Sequence, residues 1–203
     1  MPKKWGFRVF ENNKKNFVNK NLIKIAINLF SKIDEKDELV FVCLGCQGFI
    51  FDKLAVLVAD LLKHTYNIPY YVYGGSNANI TKSNLKVYLE MIKQKHSGHK
   101  IVVVDSALST SENVGLVKVY GCGTVAGGAF DSNGDVVGDY SIIGIVGSKD
   151  SLLTRLLLTD RNFIDDMAKT IAGGINEFVK LRKYFQVVIW TMCRLIHFIN
   201  QTK

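Results

Sequence analysis

Two prolines and four cysteines are all that the 203 residues contain of those types, and each shortage excludes something. So few cysteines cannot staple a disulfide scaffold of this length, which makes a reducing cytoplasm the expected setting. The scarcity of proline, with a hydrophobic share of 48%, argues against a disordered or collagen-like chain. The apolar tail run from Val187 to Ile199 is too short for a bilayer span and is broken by Arg194 and His197. The opening MPKKWGFRVFENNKK lacks the apolar core of a signal peptide. Acids are also in short supply: 18 Asp and Glu against 26 Lys and Arg give a formal charge of +8. Such a balance favours acidic partners or an anionic surface. No nucleic-acid-binding signature accompanies it, so most of the basic residues read as solvated faces.

What is present is an alternation. No repeat, linker or low-complexity segment divides the chain, so residues 1–203 are expected to form one domain. Leu22, Ile25, Ala26, Leu29, Phe30 and Ile33 recur at helical spacing. ELVFVCLG (38–45) is a continuous apolar run of the kind covered on both faces of a sheet. A helix over 52–66, a strand over 68–75, a helix over 82–96 and a strand over 100–105 follow. Two more strands are expected over 115–121 and 139–147, then helix from about Ser151 onward. This order predicts a three-layer α/β sandwich with a mostly parallel central sheet. Its core would span about 20–182, with an amphipathic helix over about 183–199 docked on the domain, or alternatively set against a membrane surface or a partner helix.

Within KIVVVDSALS, four β-favouring apolar residues run into Asp105. An isolated buried carboxylate is costly, so Asp105 has to be solvated, paired or used. If the chain reverses direction after its second strand, the first and third strands become neighbours, and the crevice at their carboxyl ends is the usual ligand site. Asp105 would then stand at the same rim as Asp52, which closes the loop GCQGFIFD after the first strand. Two carboxyls sharing a site suit general acid–base work on water, since one pKa rises. The plainer alternative is that Asp52 caps a helix and Asp105 caps a turn onto residues 106–109.

Cys43 and Cys46 form C-L-G-C, a candidate redox pair, but Cys43 lies in a strand and not at the helix N-terminus where a reactive thiol belongs. No second pair completes four zinc ligands, and the four histidines read as packing or surface residues. The glycine-rich GCGTVAGG (121–128) lacks the order and the lysine of a phosphate loop. Neither a metal nor a cofactor is called for.

The segments VCLGCQGFIFDKLAVLVADLL (42–62), VVVDSALSTSENVGLVKV (102–119), GTVAGG (123–128), VVGDYSIIGIVG (136–147) and LLLTDRNFIDDMAKTIAGGI (156–175) together resemble the YyaC-type spore protease family. That family is similar in fold to germination protease and to the hydrogenase maturation endopeptidases, a phosphorylase/hydrolase-like sandwich. The resemblance implies a sporulation-associated, aspartate-dependent peptidase acting on a protein substrate such as a spore protein, in the cytoplasm of a spore-forming cell. Matched by motif, the two catalytic aspartates fall on Asp52 and Asp105, and a family asparagine that would serve binding falls on Asn84. The chain departs from the pattern at Phe51, at Leu54-Ala55-Val56 and at Tyr73-Gly74-Gly75. A bulky Phe51 beside the acid raises the rival expectation of an inactive binding module with a filled cleft. The hydrogenase endopeptidases add a histidine metal ligand that has no match here.

Overall fold

The computed structural model describes residues 6–8, 14–125, 136–149 and 161–201. In chain order the elements are β1 (Gly6–Arg8), α1 (Lys14–Phe30), β2 (Leu39–Cys43), α2 (Lys53–Asp60), β3 (Tyr71–Tyr73), α3 (Leu85–Lys95), β4 (Lys100–Ser109), β5 (Leu116–Tyr120), β6 (Thr124–Val125), β7 (Val136–Val137), β8 (Tyr140–Ser148) and α4 (Arg161–Gln201). The main sheet has six strands in the order β1-β5-β8-β4-β2-β3. The pairs β3–β2, β2–β4 and β4–β8 are parallel, while β5 pairs antiparallel with both β8 and the edge strand β1. The expected reversal is present: β2 lies between β3 and β4.

Apolar patterning sets the layers. All five residues of β2 are buried, as a run with no polar face requires. Phe41 and Cys43 enter a core with α1, α2 and α4, while Val40 and Val42 face the opposite cluster under α3. Strand β4 alternates the same way: Val102 and Val104 join the first cluster, Ile101 and Val103 the second. Helices therefore cover both faces, and the architecture is the expected three-layer sandwich.

Three differences from the sequence reading matter. Strand β4 does not stop at Asp105; it continues through Ser109 by pairing with β8, with a bulge between Ala107 and Leu108. Ser106, Ala107 and Ser109 are poor strand formers, and tertiary pairing overrides that propensity. Strand β1 and the β6–β7 hairpin were not expected at all. The last helix is the third difference. The expected start near Ser151 lies outside the described residues, but from Arg161 a single helix of 41 residues runs to Gln201. Its tail does not fold back to dock, because no glycine or proline interrupts the sequence after Gly174. Residues 183–194 are exposed, and Phe185 touches the domain edge-on at Phe30, with ring centroids 5.4 Å apart.

Candidate active site

The carboxyl ends of β2 and β4 are out of step, and this stagger makes the site. Pairing between the two strands ends at Cys43 opposite Val104, and one further bond runs from Leu44 N–H to the Val104 carbonyl at 2.8 Å. Residues 105–109 of β4 extend past it. Asp105 is the first residue of this overhang. By alternation it stands on the α3 side of the sheet, and it is buried, with 8% of its surface exposed. Its Oδ1 accepts the backbone N–H of Ser106 at 2.7 Å. The proposed turn cap onto residues 106–109 is therefore replaced by a mid-strand carboxylate that accepts the next amide.

Asp105 lines a cleft of about 450 Å³ with Ser106, Ser109, Tyr120, Cys122, Thr124 and Ser141 among its other polar walls. Ser141 donates from Oγ to the Cys122 carbonyl at 2.9 Å, which ties β8 to the segment entering the β6–β7 hairpin. These walls were missed from sequence because they depend on β5 returning antiparallel beside β8. Ser141 was the one available signal, a serine at the head of the apolar run IIGIV that the fold buries completely. Of the glycine-rich stretch, residues 126–128 lie outside the described residues.

Asp52 precedes α2 and is not among the residues lining the cleft. It occupies the N-cap position, yet its side chain makes no capping hydrogen bond. Its Oδ2 instead accepts from Cys46 Sγ at 3.5 Å. Burial raises its carboxyl pKa above the ordinary 3.8, and the Cys46 contact partly opposes that shift. Backbone contacts join the two acids: Asp105 follows Val104, which holds Leu44, and Gly45 packs directly on the Asp52 carbonyl. A β-carbon on Gly45 would overlap that carbonyl oxygen. Gly45→Ala is therefore expected to push loop 46–52 outward and cost about 1–3 kcal/mol, measured by chemical denaturation.

The raised Asp52 pKa has a definite sign in stability. The folded state holds the proton more tightly than the unfolded chain, so the ionised side chain is a cost. That cost is complete above the raised folded pKa and disappears as pH falls through it to about 3.8. Asp52→Asn should thus melt at a higher temperature than the parent at pH 7, with the gap narrowing as pH is lowered toward 4. A variant that melts lower at pH 7 would contradict this.

The remaining candidates are placed as follows. Asn84 precedes α3 and is engaged within its own loop: Oδ1 accepts Thr81 N–H at 2.8 Å and Nδ2 donates to the Asn79 carbonyl at 3.0 Å. Cys43 is fully buried and its thiol is pushed up to about 12 by desolvation, which makes it a poor redox nucleophile. Both Cys43 and Cys46 are free. Phe51 packs against the core cluster shared with α2 and stacks on Phe49 at 5.8 Å, so it does not line the Asp105 cleft. His96 meets the Tyr73 hydroxyl at 2.8 Å, a packing role. Among the described residues no group of three or more His, Cys, Asp or Glu side chains is gathered to hold a metal ion, and no helix is long and apolar enough to cross a membrane.

The chain is 27% identical over 139 residues to the Bacillus subtilis (strain 168) protein titled "Uncharacterized protein YyaC", an overlap that covers 68% of each. Residues 10–174, which hold both aspartates and the whole described sheet apart from β1, match the family described as "Protein of unknown function (DUF1256)". The chain belongs to the DUF1256 family.

Proposed function

We propose that the protein is an aspartate-dependent hydrolase that cuts a peptide bond in a protein substrate. The observation that carries this reading is Asp52: a carboxyl at a helix start that does no capping and has its proton affinity raised by burial. Perturbed acids at the carboxyl rim of an α/β sheet are where such enzymes keep their general acids and bases. Asp52 in its protonated form would donate to the leaving amine, and Asp105 would take a proton from the attacking water. The cleft beside Asp105 has the size of a small-ligand site and walls that donate and accept hydrogen bonds. The resemblance to the YyaC-type spore proteases adds the substrate class, a spore protein, and the setting, the cytoplasm of a spore-forming cell. The basic balance of the chain is compatible with an acidic substrate.

A second reading, a binding module without catalysis, is favoured by the position of Asp52 outside the lining of that cleft. Incubating the purified chain with spore proteins, beside Asp52→Asn and Asp105→Asn, separates the two. The hydrolase reading expects cleavage by the parent and loss in both variants. Binding without cleavage would leave the binding module standing, and cleavage unchanged in both variants would remove the two aspartates from the mechanism.

A further inference from the structure

Asp60 closes α2 about two turns beyond Asp52, roughly 12 Å along the helix, too far to act on the same substrate atoms. Its side chain is nonetheless committed. Both carboxylate oxygens take donors from one residue of the loop after β3: Oδ1 accepts the Ser76 N–H at 3.0 Å, and Oδ2 accepts the Ser76 hydroxyl. The chain beyond Asp60 makes a π-helical turn, Leu61–Thr65, closed by Tyr66 N–H on the Leu61 carbonyl at 2.9 Å. That turn carries Lys63, whose Nζ donates to the Gly74 carbonyl. Asp60 and Lys63 thus grip adjacent peptides of the same loop. Gly75 admits the grip with a φ of +108°, and a β-carbon there would lie 2.6 Å from Asp60 Oδ1.

Hydrogen bonds have to hold this loop, because residues 76–78 are exposed. What the loop holds in turn is the segment in front of Asp52. Gly45 N–H donates to the Ile80 carbonyl at 2.8 Å, and Gln47 Nε2 donates to the Ser76 carbonyl at 2.9 Å. Cys46 stands between these two anchored residues, and its thiol is the donor to Asp52 Oδ2. The anchors differ in kind. Ile80 is fully buried, so packing keeps the Gly45 bond in place. Gln47 and Ser76 are both exposed, and their bond lasts only as long as the Asp60 carboxylate fixes Ser76. We propose that Asp60 is a positioning residue, acting through Ser76 and Gln47 to keep the Cys46 thiol turned onto Asp52. Its purpose rests on the hydrolase reading, in which the clamp fixes which way the Asp52 carboxyl faces when it gives up its proton.

The linkage is read on the free protein, so it is decided whether or not any substrate is cut. Site-resolved alkylation with iodoacetamide, followed by peptide mass spectrometry, compares Cys46 with Cys43, which ends β2 and is fully buried. Asp60→Asn keeps the size of the side chain but turns one acceptor oxygen into a donor. It should speed Cys46 alkylation about tenfold, the shift in local opening that one hydrogen bond to a charged group supports, and leave Cys43 unreactive. Gln47→Ala should do the same, since it removes the next link. Carboxyl-carbon NMR supplies a second readout. The Asp52 titration should move upward in Asp60→Asn, because the Cys46 contact opposes the rise that burial causes. In a Cys46→Ala background Asp60→Asn should add no further rise. Faster alkylation of Cys43 and Cys46 together would make Asp60 a residue of general stability and overturn the proposal. Unchanged Cys46 reactivity, an Asp52 titration that does not rise, or a rise that persists without Cys46 would each overturn it as well.

Discussion

Asp105→Asn is expected to lower the turnover of a cleaved protein substrate by about 10²–10⁴-fold, the contribution of a positioned acid or base. The loss should appear in kcat more than in KM, since the asparagine keeps the size of the side chain and can still accept the Ser106 N–H that Oδ1 now takes at 2.7 Å. Asp52→Asn should lose a similar factor, and it should do so while raising stability at neutral pH. That opposition is the signature of a side chain kept for chemistry at a cost to the fold. The pH profile separates the roles further. If Asp52 holds the reacting proton, activity in the parent falls as pH climbs through its raised pKa, and Asp52→Asn removes that limb. Fully active variants of both aspartates, measured on a substrate the parent cleaves, would sink the assignment.

The largest structural effect is expected at Arg182, the only charged residue in the buried core among those described besides Asp105. Its Nη2 donates to the carbonyls of Asp34, Glu35 and Asp37, at 3.3 Å for the first and 2.9 Å for the last. The guanidinium also lies 5.7 Å from the Phe178 ring centre and 6.0 Å from that of Tyr70. One side chain thus clamps α4 to the loop that feeds β2. Arg182→Met would keep much of the apolar stem but strip three carbonyls of their donor, at a cost of about 3 kcal/mol. For a chain of this size the melting temperature should fall by about 6–12 °C. Lysine should recover only part of this, because it lacks the planar fork. A drop below about 2 °C would show that water replaces the guanidinium without penalty.

Both carboxylates and the strand order around them were legible in the sequence. The apolar run ending in Asp105 announced a carboxylate in an unusual place. The alternation of strands and helices put β2 beside β4 on the condition of a reversal after the second strand, which the sheet order supplies. Asp52 was legible as an acid at a helix start, but sequence could not say whether it capped the helix. Only the geometry, with the side chain turned to Cys46, separates those readings. The cleft walls were not legible because Tyr120, Cys122 and Ser141 meet through an antiparallel return, and local periodicity does not encode strand direction. The three residues of β1 and two each of β6 and β7 are too short to show a period of two. The extra length of β4 was hidden for a related reason: serine and alanine there are ordered by β8 and not by their own preference.

The sheet has one more consequence, at its margins. The long strands β4 and β8 are interior, while among the described residues each flank is closed by a strand of three residues, Gly6–Arg8 on one side and Tyr71–Tyr73 on the other. An open flank offers unpaired amides and carbonyls to other chains, and a flank this brief gives an incoming strand little to zip onto. The fold thereby keeps its most adhesive backbone where no stranger can template on it, a safeguard against amyloid-like stacking.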